Sequence, residues 1–100
     1  MQKQFVTAVC DVYCKWTGEH PRYRAYVEDE LFTERTWIWR DMYLEESFQI
    51  YALPGKYSLR YELVDPENAK IKMRNLRILN GPAVITPQGD IEIYTPGPTQ

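Results

Sequence analysis

Histidine occurs once in this chain, at His20, serine only at Ser47 and Ser58, and cysteine only at Cys10 and Cys14. Nucleophilic or acid–base chemistry needs a nucleophile, a base and an orienting group brought together, and so thin an inventory, with no catalytic motif, predicts a protein that is not an enzyme. The two cysteines fall four residues apart in what reads as one strand, which separates their Cα atoms by about 13 Å. A disulfide needs less than about 7 Å. They are expected as buried thiols behaving as small hydrophobes, in a reducing compartment.

Charge of one sign is also lacking. The net charge is −2 with the signs interspersed, so no field collects polyanions, which argues against nucleic acid as a partner. Long apolar runs are missing too, which excludes a helical membrane span, and Met1-Gln2-Lys3-Gln4 leads into an alternating segment rather than a signal peptide. What the chain has in excess is rings: eight Tyr, three Trp and three Phe in 100 residues. One small core does not need that many, so some are expected at the surface.

Alternation carries the fold. Val6, Ala8, Cys10, Val12, Cys14 and Trp16 share one parity, as a strand with one buried face requires. Further extended segments are expected at Arg22 to Val27 and Leu31 to Trp39, a hairpin around Glu28-Asp29-Glu30. Another follows through Met42, Leu44, Phe48, Ile50 and Ala52, where Glu46 interrupts the apolar parity. Leu53-Pro54-Gly55-Lys56 turns into the cleanest strand, with Tyr57, Leu59, Tyr61 and Leu63 on one face. Lys70 to Ile78 changes parity after Met73, which predicts a β-bulge near Asn75. Ala83 to Thr86 and Ile91 to Tyr94 complete about eight strands, the pattern of an all-β, antiparallel two-sheet sandwich of jelly-roll or immunoglobulin-like kind. The expected domain is 1–94, with a Pro/Gly-rich tail over 95–100. Thr33 to Glu46 leaves a short helix open.

The candidate binding cluster is Trp37-Ile38-Trp39 with Tyr43, Arg35 and Arg40. Trp, Tyr and Arg are the usual energetic anchors of interfaces, and flat rings also stack on sugars; equally, one of the indoles belongs to a sandwich core. Acidic turns at Glu28-Asp29-Glu30 and Asp65-Pro66-Glu67-Asn68 leave Ca²⁺ open, with Asp65, Glu67 and Asn75 as candidate ligands; solvated turn acids explain them as well. Lys70, Lys72 and Arg74 form a basic stripe suited to guarding an edge strand.

Two resemblances sharpen these expectations. Through Gly18-Glu19-His20-Pro21, Val64-Asp65, Met73-Arg74-Asn75-Leu76 and Asn80-Gly81 the chain resembles the calcium-dependent xylan-binding carbohydrate-binding modules, although Met73 and Val64 replace that family's loop aspartate and asparagine. This resemblance implies a β-sandwich and a glycan ligand. Through residues 30–39 and Leu53-Pro54-Gly55-Lys56-Tyr57 it is similar to small proteins of tailed phages that infect marine cyanobacteria. That one implies a virion structural or decorating protein, assembled in the host cytoplasm, whose partners are shell or tail components in a homo- or hetero-oligomeric assembly.

Overall fold

A computed structural model describes residues 2–38, 42–64 and 66–96. Among them it is all β, with nine strands: β1 (Gln4–Trp16), β2 (Arg22–Val27), β3 (Glu30–Thr36), β4 (Tyr43–Ala52), β5 (Gly55–Tyr57), β6 (Leu59–Leu63), β7 (Ala69–Asn80), β8 (Ala83–Ile85) and β9 (Ile91–Ile93). A single 3-10 turn, Pro66–Asn68, precedes β7. Of the segment left open as a short helix, Thr33 to Thr36 is the end of β3 and Tyr43 to Glu46 the start of β4, and residues 39–41 lie outside the described residues. Of the tail, Thr95 and Pro96 lie beyond β9 and join no strand.

The strands form three antiparallel sheets: β4-β1-β7 (sheet A), β3-β2-β6 (sheet B) and β5-β9-β8 (sheet C). The expectation of about eight strands in two sheets needs correcting at one residue. Tyr57 to Leu63 is broken at Ser58, so that Tyr57 pairs with Ile91 in sheet C while Leu59 pairs with Val27 in sheet B. Ser58 is the single residue between β5 and β6, and its carbonyl accepts the Glu28 N–H at 2.8 Å just past the end of β2.

At 13 residues, β1 sets the length of the molecule, which extends 56 × 23 × 20 Å. Its even residues Val6, Ala8, Cys10 and Val12 are buried as the alternation requires, against Tyr23, Ala25 and Val27 of β2 and Phe48 and Ile50 of β4. Small side chains at Ala8, Cys10 and Ala25 leave room for a run of rings through this core. Phe32 lies 5.9 Å from Phe48, Phe48 6.3 Å from Tyr61, Tyr61 5.8 Å from Tyr23, and Tyr23 6.1 Å from Trp37. Tilted and edge-on pairs at such spacings contribute roughly 1 kcal/mol each beyond the area they bury.

Two irregularities in β7 let it follow β1 while keeping apolar residues inward. The register slips between Thr7 and Ala8, and again between Val9 and Asp11. The second slip is the bulge expected near Asn75, and Asn75 holds a left-handed φ of 55° there. Beyond β7, Gly81 has φ 102°, and a Cβ on it would stand 2.4 Å from the Phe5 carbonyl oxygen. Only glycine fits a turn pressed so closely on β1.

Candidate functional site

Trp37 does not sit on the surface. It is 0% exposed, its backbone N–H donates to the Pro21 carbonyl at 2.7 Å, and its ring meets Tyr23 edge-on. An indole with no open face cannot stack on a ligand, so Trp37 is a core residue and leaves the expected binding cluster. Arg35 reaches inward from β3, its Nε 3.0 Å from Oε2 of Glu46. Tyr43 is exposed. Trp39 and Arg40 lie outside the described residues.

What the sheets bring together instead is a buried carboxylate. Glu46 points into the core, its side chain only 4% exposed. Tyr23 donates its hydroxyl to Oε2 at 2.9 Å, and Tyr61 donates to Oε1 at 2.5 Å. Because the Tyr61 hydrogen is committed there, its oxygen is left to accept the Cys10 S–H at 3.4 Å. Residues from β1, β2, β3, β4 and β6 thus close one polar network, and every partner is a donor aimed at the carboxylate or at its relay.

The network suppresses reactivity. Burial pushes the Cys10 thiol from 9.0 to about 11, and the Glu46 charge adds to the rise. Burial also raises Tyr23 and Tyr61 above their ordinary range, with Glu46 reinforcing both. A thiol held protonated is a poor nucleophile. Cys14 is a free thiol like Cys10 but only half-buried.

On the other face of sheet A, Asp11 is buried among polar neighbours. Asn75 donates its amide to Oδ2 at 2.9 Å, and Arg77 lies 3.4 Å from Oδ1 while its other nitrogen lies 2.7 Å from Glu45. Arg77 therefore clamps two carboxylates that stand directly opposite each other across β1 and β4.

This outer face also carries two ring pairs. Phe5 stacks on Tyr51 at 4.3 Å, with the Lys3 ammonium 5.6 Å from the Tyr51 ring centre. Tyr13 stacks on Tyr43 at 5.4 Å. The pairs stand about 26 Å apart along β1, with Thr7, Gln49, Ser47 and Glu45 between them. Phe5 is 70% exposed, and the bulged Leu79 is 72% exposed.

A third feature lies at the far end of β1, where Trp16 packs against His20 at 4.7 Å. Beside it Lys15, Trp16, Thr17, Glu67, Asn68 and Lys70 line a shallow depression of about 350 Å³. Of the candidate calcium ligands, Glu67 is on this 3-10 turn, whereas Asn75 lies six residues along β7, about 20 Å away. Asp65 falls outside the described residues. Among the described residues no three His, Cys, Asp or Glu side chains gather as a metal site would require.

No protein-family model, curated protein or solved structure matches this chain.

Glu46 announced itself as the one charged residue in an otherwise apolar parity on β4. Its partners did not: Tyr23 and Tyr61 look like ordinary strand aromatics, and nothing local says that their hydroxyls converge.

Proposed function

We propose that this chain is a non-catalytic interaction domain that works through protein–protein contacts, as a structural or decorating component of a larger particle such as a virion shell or tail. The observation that carries the interaction reading is the pair of exposed ring stacks, Phe5 with Tyr51 and Tyr13 with Tyr43. Exposed large aromatics in a polar surround are the usual anchors of an interface. Tyr43 is retained from the sequence-based cluster, and Phe5, Tyr13 and Tyr51 take the place of Trp37. The virion part of the proposal, with its cytoplasmic assembly, rests on the resemblance in residues 30–39 and 53–57.

The same reading takes the fold as a two-layer sandwich. Sheet A forms one layer, and sheets B and C, joined through Ser58, form the other. Support comes from contacts between the layers: Phe32 with Phe48, Arg35 with Glu46, and Tyr61 with Cys10.

Binding is tested by mixing the purified chain with candidate particle proteins and comparing Tyr13→Ala plus Tyr43→Ala with the parent. Association lost in the double variant supports the proposal; indifference of the parent to every particle protein overturns it. Glycan recognition is the second reading, favoured by Trp16 beside a polar depression with Glu67 and Asn68. Quenching of tryptophan fluorescence by xylo-oligosaccharides, abolished in Trp16→Ala, would support it over the first.

A further inference from the structure

The edges of these sheets are not protected alike. An open strand edge invites another strand, and proteins blunt it with lysine, proline, bulges or short length. β7 carries Lys70, Lys72, Arg74 and Arg77 and two register slips. β3 has a slip opposite Ala25 and Tyr26, β6 is five residues long and carries Arg60, and β5 and β8 are three residues each. β4 stands apart. It runs ten residues, Tyr-Leu-Glu-Glu-Ser-Phe-Gln-Ile-Tyr-Ala, with no Lys, Arg, Pro or Gly, and pairs with β1 from Tyr43 to Ala52 without a slip. Its far edge pairs with no strand among the described residues. The one inward charge, Glu46, is held by Tyr23, Tyr61 and Arg35 and so does not repel a neighbour.

Read outward from Ser47, the solvent face of β4 is close to a palindrome: Tyr43, Glu45, Ser47, Gln49, Tyr51. Two antiparallel copies related by a two-fold axis at Ser47 would set each residue opposite the one that completes a sum of 94. Tyr43 then faces Tyr51 of the second copy, and Glu45 faces Gln49, whose amide can donate to the carboxylate. No like charges meet. Each Tyr43 is already stacked on Tyr13 and each Tyr51 on Phe5, so the pairing would extend the two ring pairs into a four-ring ladder on either side of the axis. An isologous contact of this kind requires a self-complementary patch, and β4 is one.

We propose that β4 pairs with β4 of a second copy of this chain, joining two A sheets into one six-stranded antiparallel sheet. The proposal deepens the interaction reading above by naming the partner.

Sedimentation of the full chain tests it, with a species of twice 11.9 kDa expected on raising the concentration. Gln49→Glu sets Glu45 against a second carboxylate at two symmetric places and should weaken the dimer at least about tenfold, one decade being about 1.4 kcal/mol. The swap Glu45→Gln plus Gln49→Glu restores the complementarity and should recover it, which a merely destabilised fold would not do. Ser47→Cys should cross-link to a disulfide dimer under mild oxidation, whereas the parent chain, with only Cys10 and Cys14, should not. A monomer at every concentration overturns the proposal, as does a dimer that ignores Gln49→Glu and fails to cross-link. If that monomer still binds particle proteins through Tyr13 and Tyr43, self-pairing fails while the interaction reading stands.

Discussion

Glu46 and Asp11 are two carboxylates from neighbouring rungs of the same ladder, Cys10 opposite Glu46 and Asp11 opposite Glu45, and both are buried. They solve burial differently. Glu46, on the inner face, is held by two tyrosine hydroxyls that are themselves in the core, with one guanidinium reaching in from the rim. Asp11, on the outer face, is held by Asn75 and Arg77, both of which can turn to water. The difference teaches where cost falls when a polar group is lost. Partners left in the core pay the full desolvation penalty, while partners at the surface do not.

The largest expected effect breaks the inner network. Glu46→Leu leaves the Tyr23 and Tyr61 hydroxyls without an acceptor and should lower the unfolding free energy by about 3 kcal/mol. Adding Tyr23→Phe and Tyr61→Phe removes the stranded donors and should recover most of that loss. Urea unfolding checks both, provided the m-value is unchanged. A triple variant no more stable than Glu46→Leu alone would show that the hydroxyls are not what the carboxylate satisfies.

Alkaline pH tests the same network without mutation. Cys10 titrates ordinarily at 9.0 and here at about 11, and Tyr23 and Tyr61 are raised from 10.0. The folded chain therefore keeps protons that the unfolded chain gives up. Stability is complete below pH 9 and declines as pH rises, by roughly 1.4 kcal/mol per pH unit for each group while only its unfolded form titrates. Tyr61→Phe should flatten the decline above pH 10, because it removes one of the raised groups. Thermal unfolding followed from pH 8 to 11 measures the slope.

How much of this was legible beforehand depended on range. The parity of Val6, Ala8, Cys10 and Val12 located the inner face of β1, and the parity flip after Met73 located the bulge at Asn75. Both are local consequences of period-two geometry. The break at Ser58 left no trace, because Tyr57, Leu59, Tyr61 and Leu63 alternate straight through it. A strand's pattern reports which face is buried, not which partner it pairs with. Trp37 was undecidable for a similar reason: it follows the end of β3, where alternation no longer binds, and only contact with Pro21 and Tyr23 takes it inside.

On the outer face the expected effects shrink. Asp11→Ala should cost about 1–2 kcal/mol, since Asn75 and Arg77 lose a buried acceptor but can reach solvent. A loss as large as that of Glu46→Leu would erase the distinction between the two faces.

The smallest effect is also the most discriminating, because it concerns sign. Arg77 bridges Asp11 and Glu45, which face each other across the ladder. With Arg77 in place, Glu45→Gln removes only an exposed ion pair and should cost less than about 1 kcal/mol. With Arg77→Ala, the two carboxylates confront each other without a cation, and like charges directly opposite are destabilising. In that background Glu45→Gln should stabilise, and added salt should narrow the gap by screening the repulsion. No such reversal is expected at Glu46, where the inner partners are hydroxyl donors rather than a second carboxylate. If Glu45→Gln destabilises the Arg77→Ala chain as it does the parent, Arg77 is not separating two like charges, and the outer face is held together by something other than this clamp.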